Sequence, residues 1–307
     1  MSEQIEIVQE NSKTNIVMDM SMFDLFCLCP EKYNIRHNKL KAPTIEQKSN
    51  SLDTGSVLHE GYEVYYRLLG EGQHFNDRVH AAIKRMDVFT SDIENSNLEP
   101  DEVAKIKLTA MENLEYWRFE DESLEILAVE QPFAYELFSD DFIRIIITGK
   151  IDLLVNKPGI GGSSEYKNLP IDHKTFSRDF PVYRLSNQFL NYVCATESNY
   201  LLVNRVGLQK SLKSDQKFKR LPLSYDPLIK EDWKKNVKDI ILRNYLECVA
   251  SQTWPMNFTS CLKFNRLCEY YEICDTSGQE AKLYKLESDF ATVSPWDVTA
   301  KFSKRGE

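Results

Sequence analysis

Apolar positions recur at helical intervals through the first third of the chain and switch to strand-like alternation after Glu125, so a helical region precedes a sheet. Leu58, Tyr62, Tyr65 and Leu69 form one face of a helix predicted over residues 55–69, with His59 beside that stripe. Residues 77–120 continue the helical pattern, with a break between Asn95 and Pro100. Ahead of these, residues 1–18 carry no sustained period and read as a tail or an edge segment. Asp19 or Ser21 is placed to cap a short apolar helix that Pro30 ends or restarts, with Cys29 at the junction. Residues 40–54 read as a polar loop.

Beyond Glu125, residues 126–135 and 142–155 read as a hairpin of two strands turning around 139–141. A turn-rich connector at 157–164 leads to a strand through 169–175, so three successive strands present Glu130, Asp152 and Asp172. Residues 184–196 form a helix with Gln188 and Tyr192, four apart, on one face. Strands at 200–207 and 218–225 follow, joined by the basic segment 210–217, and a long amphipathic helix runs over 227–250. The order β-β-β-α-β-β predicts an α/β fold: a sheet crossed by one helix, with flanking helices from the first third. The expected organisation is an N-terminal segment 1–54, a core 55–250 with a helical insertion at about 77–120, a cysteine-bearing segment 251–285 and a tail 286–307.

With 307 residues and 42% hydrophobic content, the chain can bury one large core or two modest ones. No apolar run reaches the length of a membrane span and the N-terminus lacks a signal pattern, so no membrane association and a cytoplasmic location are expected. A net charge of −9 argues against wrapping nucleic acid over the whole surface but says nothing of a local groove. Seven cysteines without an export signal make a disulfide framework unexpected; three of them crowd the C-terminal region and two the N-terminal one.

The chemistry concentrates at Asp172-His173-Lys174. In a strand Asp172 and Lys174 share a face and His173 points the other way. Asp152 sits alone in the β-branched run 145–155, where a buried carboxylate is costly unless a partner neutralises it. Two carboxylates on neighbouring strands are hard oxygen ligands suited to Mg²⁺ or Mn²⁺, and Lys174 is placed to act on a water or a phosphate. The pattern alone also fits a surface salt bridge on the strand, and His59 alone also fits a hydrogen-bonded core histidine.

In order along the chain, Gly55-x-x-x-His59, Gly149-Lys-Ile-Asp152, Ile171-Asp172-x-Lys174-Thr175 and Gln188-x-x-x-Tyr192 resemble the RecB-like branch of the PD-(D/E)XK nuclease superfamily. The resemblance implies a restriction-endonuclease-like fold, a mixed central sheet flanked by helices. It also implies that His59, Asp152, Asp172 and the main-chain carbonyl of His173 hold the metal, that Lys174 acts on the water, and that Gln188 and Tyr192 contact DNA or the lysine. Glu130 matches a less constant acidic position, either a group supporting the site or a solvated strand residue.

Iron-sulfur members of that branch carry one cysteine in a Cys-Pro-x-x-Tyr setting before the core and three after it. Cys29-Pro-Glu-Lys-Tyr33 and Cys261, Cys268 and Cys274 are similar, with Cys27 a rival for Cys29. The resemblance implies a [4Fe-4S] cluster joining the terminal segments; a zinc site and unligated thiols are the alternatives. Trp254-Pro-Met-Asn257 resembles the lead-in of phage-borne relatives of CRISPR-adaptation nucleases, and the branch also holds AddB-type exonucleases. The implied activity is Mg²⁺- or Mn²⁺-dependent hydrolysis of single-stranded or end-bearing DNA in a bacterial cell or phage-infected host. Arg184 and basic residues at 205–220 are candidates for phosphate contacts. With no Walker motif here, a helicase motor or a recombination or adaptation partner would be another chain. A non-catalytic DNA-binding or assembly component is the reading from another class. Polarity, metal number and oligomeric state stay open.

Overall fold

Thr14-Asn-Ile-Val-Met is short, but its alternate residues Ile16 and Met18 are buried, and Asp19 ends the run by accepting the Met22 N–H at 2.7 Å and starting a helix. The computed structural model describes residues 13–43, 50–92, 98–159, 166–176, 184–209, 213–263 and 266–295. The loop at 44–49, the break at 95–97, the glycines at 161 and 162, Lys210 and the end of the tail lie outside the described residues.

In chain order the principal elements are strand β1 (Thr14–Asp19), helices α1 (Met20–Leu28), α2 (Asn50–Gly70), α3 (Phe75–Thr90) and α4 (Pro100–Asp121), and strands β2 (Glu125–Ser139), β3 (Ile143–Lys157) and β4 (Tyr166–Phe176). Helix α5 (Asn187–Ala195), strands β5 (Tyr200–Gly207) and β6 (Phe218–Ser224) and helix α6 (Pro227–Ile240) follow. The strands make a mixed sheet in the order β1-β3-β4-β5-β6, with β2 also paired to β3. This is the mixed α/β fold expected, a central sheet flanked by helices. Three details differ from the sequence pattern. Residues 14–19 form a strand parallel to Ile143–Thr148 of β3, a partner too distant in sequence for local periodicity to reveal. Helix α2 starts at Asn50, inside the presumed loop, because polar residues that weaken a periodic pattern do not forbid a helix. The helix predicted over 227–250 passes through a π-helical turn at Ile241–Tyr245 before resuming as Leu246–Ser251.

The chain divides into two compact units, each described by itself. Unit 1 comprises Met1–Lys48, Ala134–Gly149 and Glu231–Glu307; unit 2 comprises Ser49–Phe133 and Lys150–Lys230. In unit 1, Cys29 separates α1 from a helical turn, Pro30–Tyr33, that begins with proline where no N–H is needed. Tyr33 stacks on Trp254 with ring centroids 5.8 Å apart and meets Tyr245 edge-on, and Ile35, Tyr270, Ile273 and Leu286 form a buried cluster against which Cys268 packs.

In unit 2 the second half of β3 pairs antiparallel with β4, β4 runs parallel to β5, and β5 pairs antiparallel with β6. The parallel pair requires a crossover, which α5 supplies. Leu153 and Val155 of β3 and Leu169 and Ile171 of β4 pack with Leu58 and Tyr62 of α2, Met86 of α3 and Leu114 of α4 in one core. Gly61 allows α2 and α3 to approach: a Cβ there would meet the Met86 side chain at 2.0 Å. The far end of α4 carries Asp121, fully buried, whose carboxylate accepts from Arg220 at 2.5 Å and from the Tyr66 hydroxyl at 3.2 Å. Among the described residues no helix is long and apolar enough to cross a membrane.

Candidate active site

His59, Asp152, Asp172, Lys174, Gln188 and Tyr192 all fall within unit 2, and strand pairing explains how the two aspartates meet. The β3–β4 register sets Leu153 opposite Ile171, and one step further the Asp152 carboxylate accepts the His173 N–H at 2.9 Å. A side chain therefore serves as acceptor at the end of the ladder. Alternation places Asp172 and Lys174 on one face, and Lys174 Nζ donates to Asp172 Oδ1 at 2.9 Å.

Helix α2 brings His59 to this strand end because its neighbours Leu58 and Tyr62 are anchored in the core. The imidazole Nδ1 lies 3.4 Å from Glu130 Oε1 and 3.7 Å from Asp152 Oδ2, and Nε2 lies 3.1 Å from the His173 carbonyl oxygen. Both ring nitrogens face acceptors, so the charged imidazolium satisfies both. Burial opposes that charge, but Asp152, Glu130 and Asp172 outweigh it and raise His59 to about 9.

Glu130 takes a left-handed backbone conformation, φ 50°, within β2, and its carboxylate is buried. Non-glycine residues adopt that region at a cost and commonly where a side chain must be re-aimed. Here the carboxylate meets His59 and the Lys150 ammonium. Burial would raise Glu130, yet these two partners hold it down to about 2.

Asp172 is 0% exposed and only one of its oxygens is partnered: Oδ2 is buried without a hydrogen-bond partner. Burial pushes this carboxyl up to about 6 against the pull of Lys174, with Asp152 adding repulsion. Lys174 is raised as well, burial being outweighed by Asp172 and Asp152. Its Nζ also donates to Gln188 Oε1 at 3.1 Å; Gln188 Nε2 donates to the Tyr192 hydroxyl at 2.9 Å, and Tyr192 donates to the Lys150 carbonyl at 2.8 Å. The i, i+4 pair on α5 thus fixes the ammonium through a chain in which each group donates to the next.

The His173 ring takes no part in this face. It stacks on Tyr66 at 5.4 Å, meets Tyr62 edge-on at 4.9 Å, and pairs Nδ1 with the Asn204 amide at 2.9 Å. Burial keeps the imidazole neutral, well below its usual range, so only its carbonyl faces the site. Among the described residues, His59, Glu130 and Asp152 are the group whose potential ligand atoms all lie within 4.8 Å of one another. Oxygen-rich donors with one imidazole, beside an orphaned buried carboxylate oxygen, fit a hard divalent cation.

The sequence pattern brought Lys150 no role and left Glu130 undecided. Alternation was the available signal, since Lys150 lies two residues before Asp152 on the same strand. Tyr62, Tyr66 and Asn204, which cage His173, carry no motif. The basic stretch reads differently in three dimensions. The Arg205 guanidinium is buried over the Phe176 ring at 4.4 Å, Arg220 is consumed by Glu120 and Asp121, and Lys217 pairs with Glu112. These side chains serve the fold instead of offering a free cationic face; Arg184 and Lys213 are exposed.

In unit 1 the segments that carry the four motif cysteines lie close together, although among the described residues no three of these cysteines bring their sulfurs within 4.8 Å of one another. Asn257 links two of their segments: its N–H donates to Cys29 Sγ at 3.4 Å, and its carbonyl lies 3.8 Å from Cys261 Sγ. The Cys268 N–H donates to the Cys261 carbonyl at 2.8 Å. Burial, then Glu31 and the thiols of Cys268, Cys29 and Cys261, push Cys274 up to about 11, and burial also raises Cys268. Cys27 is exposed, and burial of its sulfur, then the Asp24 charge, pushes its thiol up to about 11.

The sequence pattern of the PD-(D/E)XK nuclease superfamily matches residues 20–275. A solved structure named as a "putative exonuclease", from Eubacterium rectale, covers 95% of this chain and 94% of its own at 13% identity and a TM-score of 0.45. Another, of a protein called SSO0001, covers 64% of this chain and 79% of its own at 12% identity and a TM-score of 0.30. Among curated protein sequences none matches.

Proposed function

This chain belongs to the PD-(D/E)XK nuclease superfamily, and on that premise we propose that it hydrolyses DNA phosphodiester bonds with Mg²⁺ or Mn²⁺ at the unit 2 site. The observation that carries the reading is Asp172, a fully buried carboxylate with one oxygen unpartnered, beside Asp152 and a lysine held in place from two sides. A fold does not leave such an oxygen orphaned without cost, and a cation is the partner its chemistry calls for. His59, Asp152, Asp172 and the His173 carbonyl would hold the ion. A divalent cation bound there supplies Lewis-acid chemistry, acidifying a water and screening the charge of the scissile phosphate.

The chain's own residues do the rest. Lys174 keeps its proton at Nζ and presents that charge where negative charge develops on the phosphate. Gln188 and Tyr192 orient Lys174 and are positioning residues. Glu130 orients His59 at Nδ1, leaving Nε2 for the ion beside the His173 carbonyl. The His173 ring, wedged against Tyr66 and Asn204, fixes that carbonyl.

The preferred substrate in this reading is single-stranded or end-bearing DNA degraded exonucleolytically, with any helicase motor supplied by another chain. Labelled DNA incubated with wild type and Lys174→Ala, with Mn²⁺ and after chelation, tests the chemistry: equal degradation by both proteins, or degradation that survives chelation, sinks it. Substrates blocked at the 5′ or the 3′ end test the mode, since an exonuclease stalls on one of them and an endonuclease on neither.

In unit 1 the reading assigns Cys29, Cys261, Cys268 and Cys274 to a [4Fe-4S] cluster. The links between their segments, Asn257 to Cys29 and Cys261 and the Cys268 N–H to the Cys261 carbonyl, support it. An anaerobic preparation that is brown and loses its colour on Cys268→Ala is the expected result; stoichiometric zinc without iron would replace the cluster by a Cys₄ zinc site.

A further inference from the structure

Lys150 joins both arms of the site. Its carbonyl accepts from Tyr192, at the root of the chain that holds Lys174, while its ammonium pairs with Glu130, which holds His59. Glu130 lies beside Asp152 and His59, and this lysine and the imidazole are the partners that hold its charge. From this arrangement we infer that the Lys150 ammonium occupies, in charge, the place of a second divalent cation, so that the site takes one metal ion and not two. The inference rests on the nuclease reading above and deepens it.

Charge balance carries the argument. Glu130, Asp152 and Asp172 are buried and contribute three negative charges; Lys150 and Lys174 contribute two positive ones, and His59 is neutral once it ligates. One negative charge then remains on the protein. A single dication together with one singly charged phosphodiester brings the buried site to neutrality. A second dication would leave two uncompensated positive charges beside carboxylates that are buried, which is unfavourable. Glu130 is also the acidic group placed to bridge to a second ion, and it is already engaged on both sides. The left-handed backbone at Glu130 turns its carboxylate toward Lys150 and His59, so the pairing is built into the strand.

The pairing makes Lys150 a positioning residue whose removal should change metal stoichiometry. Mn²⁺ binding to metal-free, full-length wild type, read by calorimetry and by the electron paramagnetic resonance of the bound ion, should give one tight Mn²⁺ per chain with no Mn–Mn coupling. Lys150→Met should admit a second, coupled Mn²⁺, and adding Glu130→Gln to that variant should abolish it. Lys150→Arg, which keeps the charge, should stay at one. Two coupled ions in wild type, or one ion in a folded Lys150→Met, overturns the inference and leaves the nuclease reading standing. Wild type that binds no Mn²⁺ overturns the nuclease reading itself.

Discussion

Asp121 and Asp172 are both 0% exposed carboxylates of unit 2, and they are treated in opposite ways. Asp121 gives one oxygen to the Arg220 guanidinium and the other to the Tyr66 hydroxyl. Asp172 gives one oxygen to Lys174 and keeps the other without a partner. Burial raises both, but only the first is answered on every side by the fold. Equal burial therefore does not imply equal purpose: a buried carboxylate with both oxygens partnered specifies structure, and one with an orphaned oxygen marks where a cation fits.

That contrast is most severely tested by exchanging the two outcomes. Asp172→Asn should lower Mn²⁺-dependent cleavage by about three orders of magnitude or more, measured under single-turnover conditions, since it removes a ligand charge the transition state needs. Its stability in urea should change little, by less than about 2 kcal/mol, because the buried carboxylate charge is removed along with one ion pair to a part-exposed lysine. Arg220→Met should do the reverse. It strands Asp121 and should cost about 3–5 kcal/mol in urea unfolding, while the folded fraction keeps its Mn²⁺ stoichiometry. Lys174→Ala should reduce the rate by about 10²–10³-fold with Mn²⁺ affinity nearly unchanged, which separates a charge acting on the phosphate from a ligand. Glu130→Gln should weaken Mn²⁺ binding by about 10–100-fold, as expected for a group that orients a ligating histidine, with Tm less affected than by Arg220→Met.

The same contrast bounds what could be read before the structure. Asp152, Asp172 and Lys174 were legible because strand alternation and an ordered motif set locate them, and the sheet that carries them follows from the change of period at Glu125. Whether an arginine is free or consumed was not legible. Arg205 and Arg220 sit in a basic stretch that invites a DNA contact, yet Phe176, Asp121 and Glu120 take them, from positions far away in sequence. Strand β1 was hidden for the same reason, its partner lying in the Ile143–Thr148 segment of β3. Glu130 stayed undecided between a group supporting the site and a solvated strand acid, because a left-handed φ leaves no composition signal in a residue other than glycine.

The central claim is that the orphaned oxygen of Asp172 is there for a cation that serves phosphodiester cleavage. End-labelled single-stranded DNA incubated with wild type and with Asp172→Asn, each with Mn²⁺ and each after chelation, tests it most directly. The account predicts degradation only by wild type with Mn²⁺ present, and an Asp172→Asn protein that is folded yet inert. Degradation by Asp172→Asn at the wild-type rate would contradict it.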